Sequence, residues 1–183
     1  NLEIVFYKSR MKIIVTGGAG FIASHVADAY LRAGHRVAVI DNLVTGFKKN
    51  LHPRARFYRA DIRNLALMER IFRKEQPEVV NHHAALAEVI KSLRNPIPTL
   101  ETNVLGTANV LLSFGKHGRG KHRKFVFSST GGAIYGEPKK IPVNESAPVV
   151  PLSPYGLSKS LGEEVIIFYA RQFGFTYLIF RYP

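Results

Sequence analysis

The chain has 183 residues, 46% of them hydrophobic and 21% charged, with no cysteine. Such a chain is long enough for one domain with a real core, and its composition excludes disorder, a disulfide scaffold, thiolate catalysis and cysteine-ligated metal. Lys and Arg outnumber Asp and Glu 26 to 13, a net charge of +13, so an anionic partner has to be considered.

Asn1 to Arg10 precede Met11, which opens the first clear strand. Met11 therefore reads as the natural start and residues 1–10 as an upstream extension, though LEIVFY carries strand propensity of its own. From Met11 onward, short β-branched runs alternate with longer amphipathic stretches. Strands are predicted at Lys12–Thr16, Arg36–Ile40, Arg56–Tyr58, Val79–His82, Lys124–Ser128 and Thr176–Phe180. Helices are predicted at Phe21–Ala33, Leu65–Lys74, Pro98–Phe114 and Pro154–Phe173. The runs IIVT, VAVI, FVFS and YLIF are continuous rather than alternating, as strands covered on both faces require. Right-handed crossovers then give an α/β architecture, a doubly wound parallel sheet over residues 11–183.

The densest basic stretch is Lys116–Lys124 (KHGRGKHRK). It reads as a solvated loop, since it has neither interleaved aromatics nor a helical framework, and this speaks against nucleic acid as the partner. No run of 18 apolar residues exists, so no membrane-spanning helix and no membrane partner are expected. The lack of cysteine suits a reducing cytoplasm.

After the first strand comes Gly17-Gly18-Ala19-Gly20-Phe21-Ile22-Ala23, which opens into a helix. An ordinary strand-to-helix turn uses the same residue types. A dinucleotide loop needs more: a tight turn at Gly17, close backbone approach at Gly20, and a small residue, here Ala23, where helix meets strand. Asp41 ends the second strand about 20 residues beyond Gly20, the spacing at which a carboxylate accepts from the adenosine ribose hydroxyls and repels a 2′-phosphate. This favours NAD over NADP, although Arg36, Lys48 and Lys49 are cations close by in sequence.

Tyr155 and Lys159 lie four apart on the first turns of a long helix and share a face. A phenol is a poor base at neutral pH, but a neighbouring ammonium stabilises its phenolate, which fits Tyr155 for general acid and base work. Ser128, Ser129 and Thr130 end the fifth strand with hydroxyls able to meet a substrate alcohol or carbonyl. No G-x-S-x-G elbow supports a serine hydrolase. His82 and His83 are adjacent on a strand, point to opposite faces and so do not pair as metal ligands; they read as core or cofactor-contact residues.

The segments VTGGAGFIASH, VIDNL, RADIRN, VVNHHAA, TNVLGT, FSSTGGAIYGE, SPYGLSK and FRYP, in this order, resemble the extended short-chain dehydrogenase/reductases, and within them the nucleotide-sugar epimerases of the UDP-glucose 4-epimerase type. The resemblance runs from Met11 to Pro183. It implies a Rossmann domain that holds NAD. Gly17, Gly20, Phe21 and Ile22 match its dinucleotide loop, Asp41 with Asn42 the ribose side, and Asp61 with Ile62 the adenine side. Ala84 and Ala85 match residues along the cofactor, and Asn103 a helix asparagine near the active site. Thr130, Tyr155 and Lys159 match the catalytic group, with Ser129, Thr130 and Tyr155 beside the substrate and Lys159 also on the cofactor. The implied reaction is epimerisation of a nucleotide sugar, a UDP-sugar foremost, by transient oxidation at a sugar hydroxyl. The implied assembly is a homodimer or larger oligomer. Leu86 and Glu88 depart from the family's usual Gln and Ser, and family members continue past RYP into a substrate domain. The second reading is therefore an NAD-binding module without turnover, or another short-chain dehydrogenase/reductase activity.

Overall fold

The computed structural model describes residues 10–138 and 140–183, so the expected extension lies, apart from Arg10, outside the described residues. The chain forms β1 (Lys12–Thr16), α1 (Phe21–Arg32), β2 (Arg36–Asp41), β3 (Arg56–Arg59), α2 (Leu65–Glu75) and β4 (Val79–His82). Then follow α3 (Val89–Arg94), α4 (Pro96–Leu100), a π turn (Glu101–Leu105), α5 (Gly106–His117), β5 (Lys124–Thr130), α6 (Pro154–Phe173) and β6 (Thr176–Tyr182). The strands make one parallel sheet in the order β3-β2-β1-β4-β5-β6. This is the doubly wound order expected, with the chain reversing direction across the sheet between β1 and β4.

Alternation along the strands divides the core into two layers. Ile13, Val15, Val37 and Val39 pack with Ala23, Ala27 and Leu31 of α1 on one face. Ile14, Ile40, Phe125 and Phe127 pack with Met68, Phe72, Val110, Phe114 and Ile166 on the other. Helix starts follow local chemistry. Asn64 Oδ1 accepts from the Leu67 amide, and Ser153 Oγ accepts from the Gly156 amide ahead of Pro154 at the first helical position. Gly174 closes α6 in the left-handed conformation.

Two expectations are corrected. The predicted helix Pro98–Phe114 is three successive pieces, α4 starting two residues earlier at Pro96, a π turn that widens the backbone at Glu101–Leu105, and α5 running on to His117, while α3 forms unforeseen upstream of Asn95-Pro96. The run YLIF is not covered on both faces: Tyr177, Leu178 and Phe180 are exposed, because β6 is the edge strand and, among the described residues, nothing packs over its outer side.

Candidate active site

A cleft of about 240 Å³ opens at the carboxyl ends of β1 and β4, where the strand order reverses. The glycine turn forms its floor. Gly17 has φ +69°, and a Cβ there would stand 2.8 Å from the Ala84 amide nitrogen, so the close approach of this turn to the β4 loop requires glycine. Gly20 donates to Gly17 O and caps α1, which leaves the amides of Phe21, Ile22 and Ala23 without intrahelical acceptors and aimed along the positive end of the helix. Phe21 and Ile22 are exposed, so what they bring to the site is backbone.

Asp41 and Asn42 line the cleft beside the turn. One Asp41 carboxylate oxygen accepts from the Ala19 amide at 3.0 Å and the other from the Leu43 amide at 2.7 Å, which fixes the carboxylate against the glycine loop. Arg36 starts β2 at the far end of the strand from Asp41, so it does not offset this negative charge. Ala60, Ile62, Arg63, His83, Ala84 and Ala85 are among the other residues of its walls. Asp61 is committed elsewhere: Arg63 holds it through Nε at 3.1 Å and Nη2 at 2.8 Å, Asn42 adds a bond at 3.2 Å, and the guanidinium keeps its carboxyl down to about 2.

The residues expected to form the catalytic group, Thr130, Tyr155 and Lys159, lie beyond the His83 side of this cleft. His83 lines it and pairs through Nδ1 with Ser128 Oγ at 2.7 Å, and the Ser128 carbonyl accepts from Lys159 Nζ at 2.6 Å. Lys159 is 4% exposed and stacks over the Phe127 ring at 4.7 Å. Burial lowers its ammonium to about 8, partly opposed by Glu163 one turn along the helix. The Tyr155 phenol is raised by burial, while a hydrogen bond with Thr130 acts the other way. Burial also holds His83 down to about 4, with the Lys159 charge adding to it. His82 faces the core, bonded to the hydroxyls of Thr16 at 2.6 Å and Thr107 at 2.9 Å, so the two histidines divide between core and cleft as expected. Among the described residues no group of histidines and carboxylates has metal-ligand geometry.

Two predicted site residues take other roles. Ser129 is buried and donates to Glu163 in the middle of α6, on the sheet face opposite to Ser128 and Thr130, because successive strand residues face opposite ways. Asn103, on the π turn, is 2% exposed and its amide clamps the Leu86 backbone from both sides, at 2.8 and 3.0 Å, while also donating to Ser158 Oγ at 2.9 Å. It ties the β4 loop to α6 and does not line the cleft. The sequence reading missed Glu163, which Arg181 grips through Nε at 3.0 Å and Nη2 at 2.6 Å while Arg181 Nη1 donates to Tyr135 at 2.7 Å. Its signal was spacing, four residues beyond Lys159.

The NAD dependent epimerase/dehydratase family model matches residues 13–183. A UDP-glucose 4-epimerase of Lacticaseibacillus casei is 40% identical over 172 residues, 94% of this chain and 51% of that protein. The solved UDP-glucose 4-epimerase of Thermotoga maritima with UDP-glucose superposes with TM-score 0.90 at 46% identity, covering 94% of this chain and 55% of that one. The Thermus thermophilus UDP-glucose 4-epimerase complex with NAD gives 0.89 at 42% identity and the same coverage. The chain thus spans about half the length of these relatives. A match that runs from β1 through β6 and takes in the glycine turn, the cleft and the tyrosine–lysine pair shows that the chain belongs to the NAD dependent epimerase/dehydratase family.

Proposed function

We propose that the chain is the cofactor-binding and catalytic half of a nucleotide-sugar 4-epimerase that prefers NAD to NADP. The observation that carries this reading is one continuous arrangement. The glycine turn and Asp41 stand on one side of the cleft, and His83, Ser128 and the buried Lys159 lead from its other side to Tyr155 and Thr130. The residues fit the cofactor: the free amides of the first α1 turn suit a pyrophosphate, and Asp41, held by two backbone amides, has acceptor capacity left for ribose hydroxyls. NAD, when bound, supplies a hydride acceptor. Thr130 orients a substrate hydroxyl, and Tyr155 Oη takes its proton and later returns it. Because burial raises the Tyr155 phenol, that step calls for positive charge on the same helix face, the role assigned to Lys159 four residues along α6. UDP-glucose and NAD are what the relatives above were solved with, and they support a UDP-sugar as the substrate.

Titration of the chain with NAD and NADP tests the cofactor side. NAD is expected to bind at least about tenfold more tightly, with that preference lost in Asp41→Ala; equal or tighter NADP binding overturns it. On the chemical side, Tyr155→Phe in the chain complemented with the C-terminal half of a relative is expected to abolish hydride transfer to NAD and leave NAD affinity unchanged. An unaltered rate places the proton transfer elsewhere.

A further inference from the structure

The cleft takes up little of the net charge of +13: the one Lys or Arg among the described residues of its wall is Arg63, which Asp61 and Glu101 pair. In a parallel sheet all strands start at one end, and here that end is the one opposite the cleft. β1 starts with Lys12, β2 with Arg36 and β3 with Arg56. Lys12 and Arg36 are register partners, and Arg56 is level with Ala38, two residues further along β2. The three side chains therefore leave the same face of three adjacent strands spaced about 4.8 Å apart. Arg10, Arg54 and Lys74 join them around a cavity of about 400 Å³.

Among the described residues the only carboxylate in the wall is Glu75, and it is already engaged, accepting from Arg56 Nη1 at 2.9 Å and from the Tyr58 hydroxyl. Among the same residues no salt bridge neutralises Arg10, Lys12, Arg36, Arg54 or Lys74. Five cations directed at one concavity repel each other, and a ligand bearing several negative charges relieves that repulsion.

We propose that this cavity is a second binding site, for a compact polyanion with two or more phosphate groups, separate from the cofactor cleft by the length of the strands, about 13 Å along β1. Convergence on a bounded cavity, rather than a stripe along a surface, favours a small ligand over an extended nucleic acid backbone. Among the described residues the only ring in the wall is His35, which is buried and accepts from the Met11 amide, so little aromatic face is left on which a base would stack. The site stands whether or not the cleft takes NAD.

Calorimetric titration of the full chain with tripolyphosphate, orthophosphate and a single-stranded oligonucleotide tests this, each in the presence and absence of saturating NAD. Expected are saturable 1:1 binding of tripolyphosphate, weaker binding of orthophosphate, no competition from NAD, and at least about a tenfold loss of tripolyphosphate affinity in Arg36→Ser/Arg54→Ser with an unchanged thermal melt. Displacement by NAD assigns the phosphates to the glycine turn and overturns the proposal. So does full affinity in the double variant, and so does oligonucleotide binding that grows with length while tripolyphosphate fails to saturate.

Discussion

At the residue scale, the site concentrates groups whose charge is controlled by burial. Lys159 keeps its ammonium in a nearly closed space because the Ser128 carbonyl, the Phe127 ring and Glu163 receive it. His83, bonded to the Ser128 hydroxyl, is held neutral first by burial and then by the Lys159 charge, and this has a measurable consequence. Its folded value is about 4 against 6.5 when unfolded, so between those values the unfolded chain binds more protons than the folded one. The contribution of His83 to stability is complete above pH 6.5 and is lost as pH falls toward 4. Denaturant melts at pH 7 and pH 5 are expected to differ by roughly 2 kcal/mol more in the parent chain than in His83→Leu. An identical pH dependence in both would show that His83 is as free to protonate in the fold as in the unfolded chain.

At the element scale, the π turn at Glu101–Leu105 is what brings Asn103 inward, and Asn103 in turn sets the distance between the β4 loop and α6. Asn103→Ala leaves the half-buried Leu86 amide and carbonyl and the buried Ser158 hydroxyl without the partner they share. Chemical denaturation is expected to report a loss of about 2–4 kcal/mol. Because the β4 loop also carries Ala84 and Ala85 into the cleft, NAD affinity falls with it. A change below about 0.5 kcal/mol would mean that the clamp is not formed in solution. Glu163 and Arg181 act similarly at the other end of the site, joining β6 and α6 to Tyr135 and the 131–150 loop.

At the scale of the whole molecule, the sheet separates two kinds of surface: an anion-attracting end at the strand starts, and the cofactor cleft at the strand ends. A third surface is apolar. Leu157, Leu161 and Phe168 form an exposed stripe along α6, and Leu105 is exposed at the end of the π turn, whereas Leu111 of α5 and Ile166 of α6 are wholly buried in the core. A stripe of this kind supports two-fold self-association. Light scattering is expected to find the chain as a dimer or larger, and Leu161→Lys/Phe168→Glu to return it to about 20 kDa with the NAD site intact. A parent chain that is monomeric at micromolar concentration would remove the proposal of self-association.

The amino-acid sequence by itself determined what depends on local spacing. It set the six strands and the capped helix α6, the glycine turn whose backbone only glycine accepts at Gly17, the acidic end of β2, and the four-residue step from Tyr155 to Lys159. Each of these is a short-range pattern that one strand or one helical turn reads out. Only the tertiary structure decided which way a side chain at a strand end faces and which partner claims it. That is why Ser129 went to Glu163, 34 residues along the chain, rather than to the substrate side. It is also why Asn103 became a clamp. The edge position of β6 and the gathering of Lys12, Arg36 and Arg56 at one end were equally hidden. Residues 20 or more apart in the chain become neighbours only when strand order and register place them side by side.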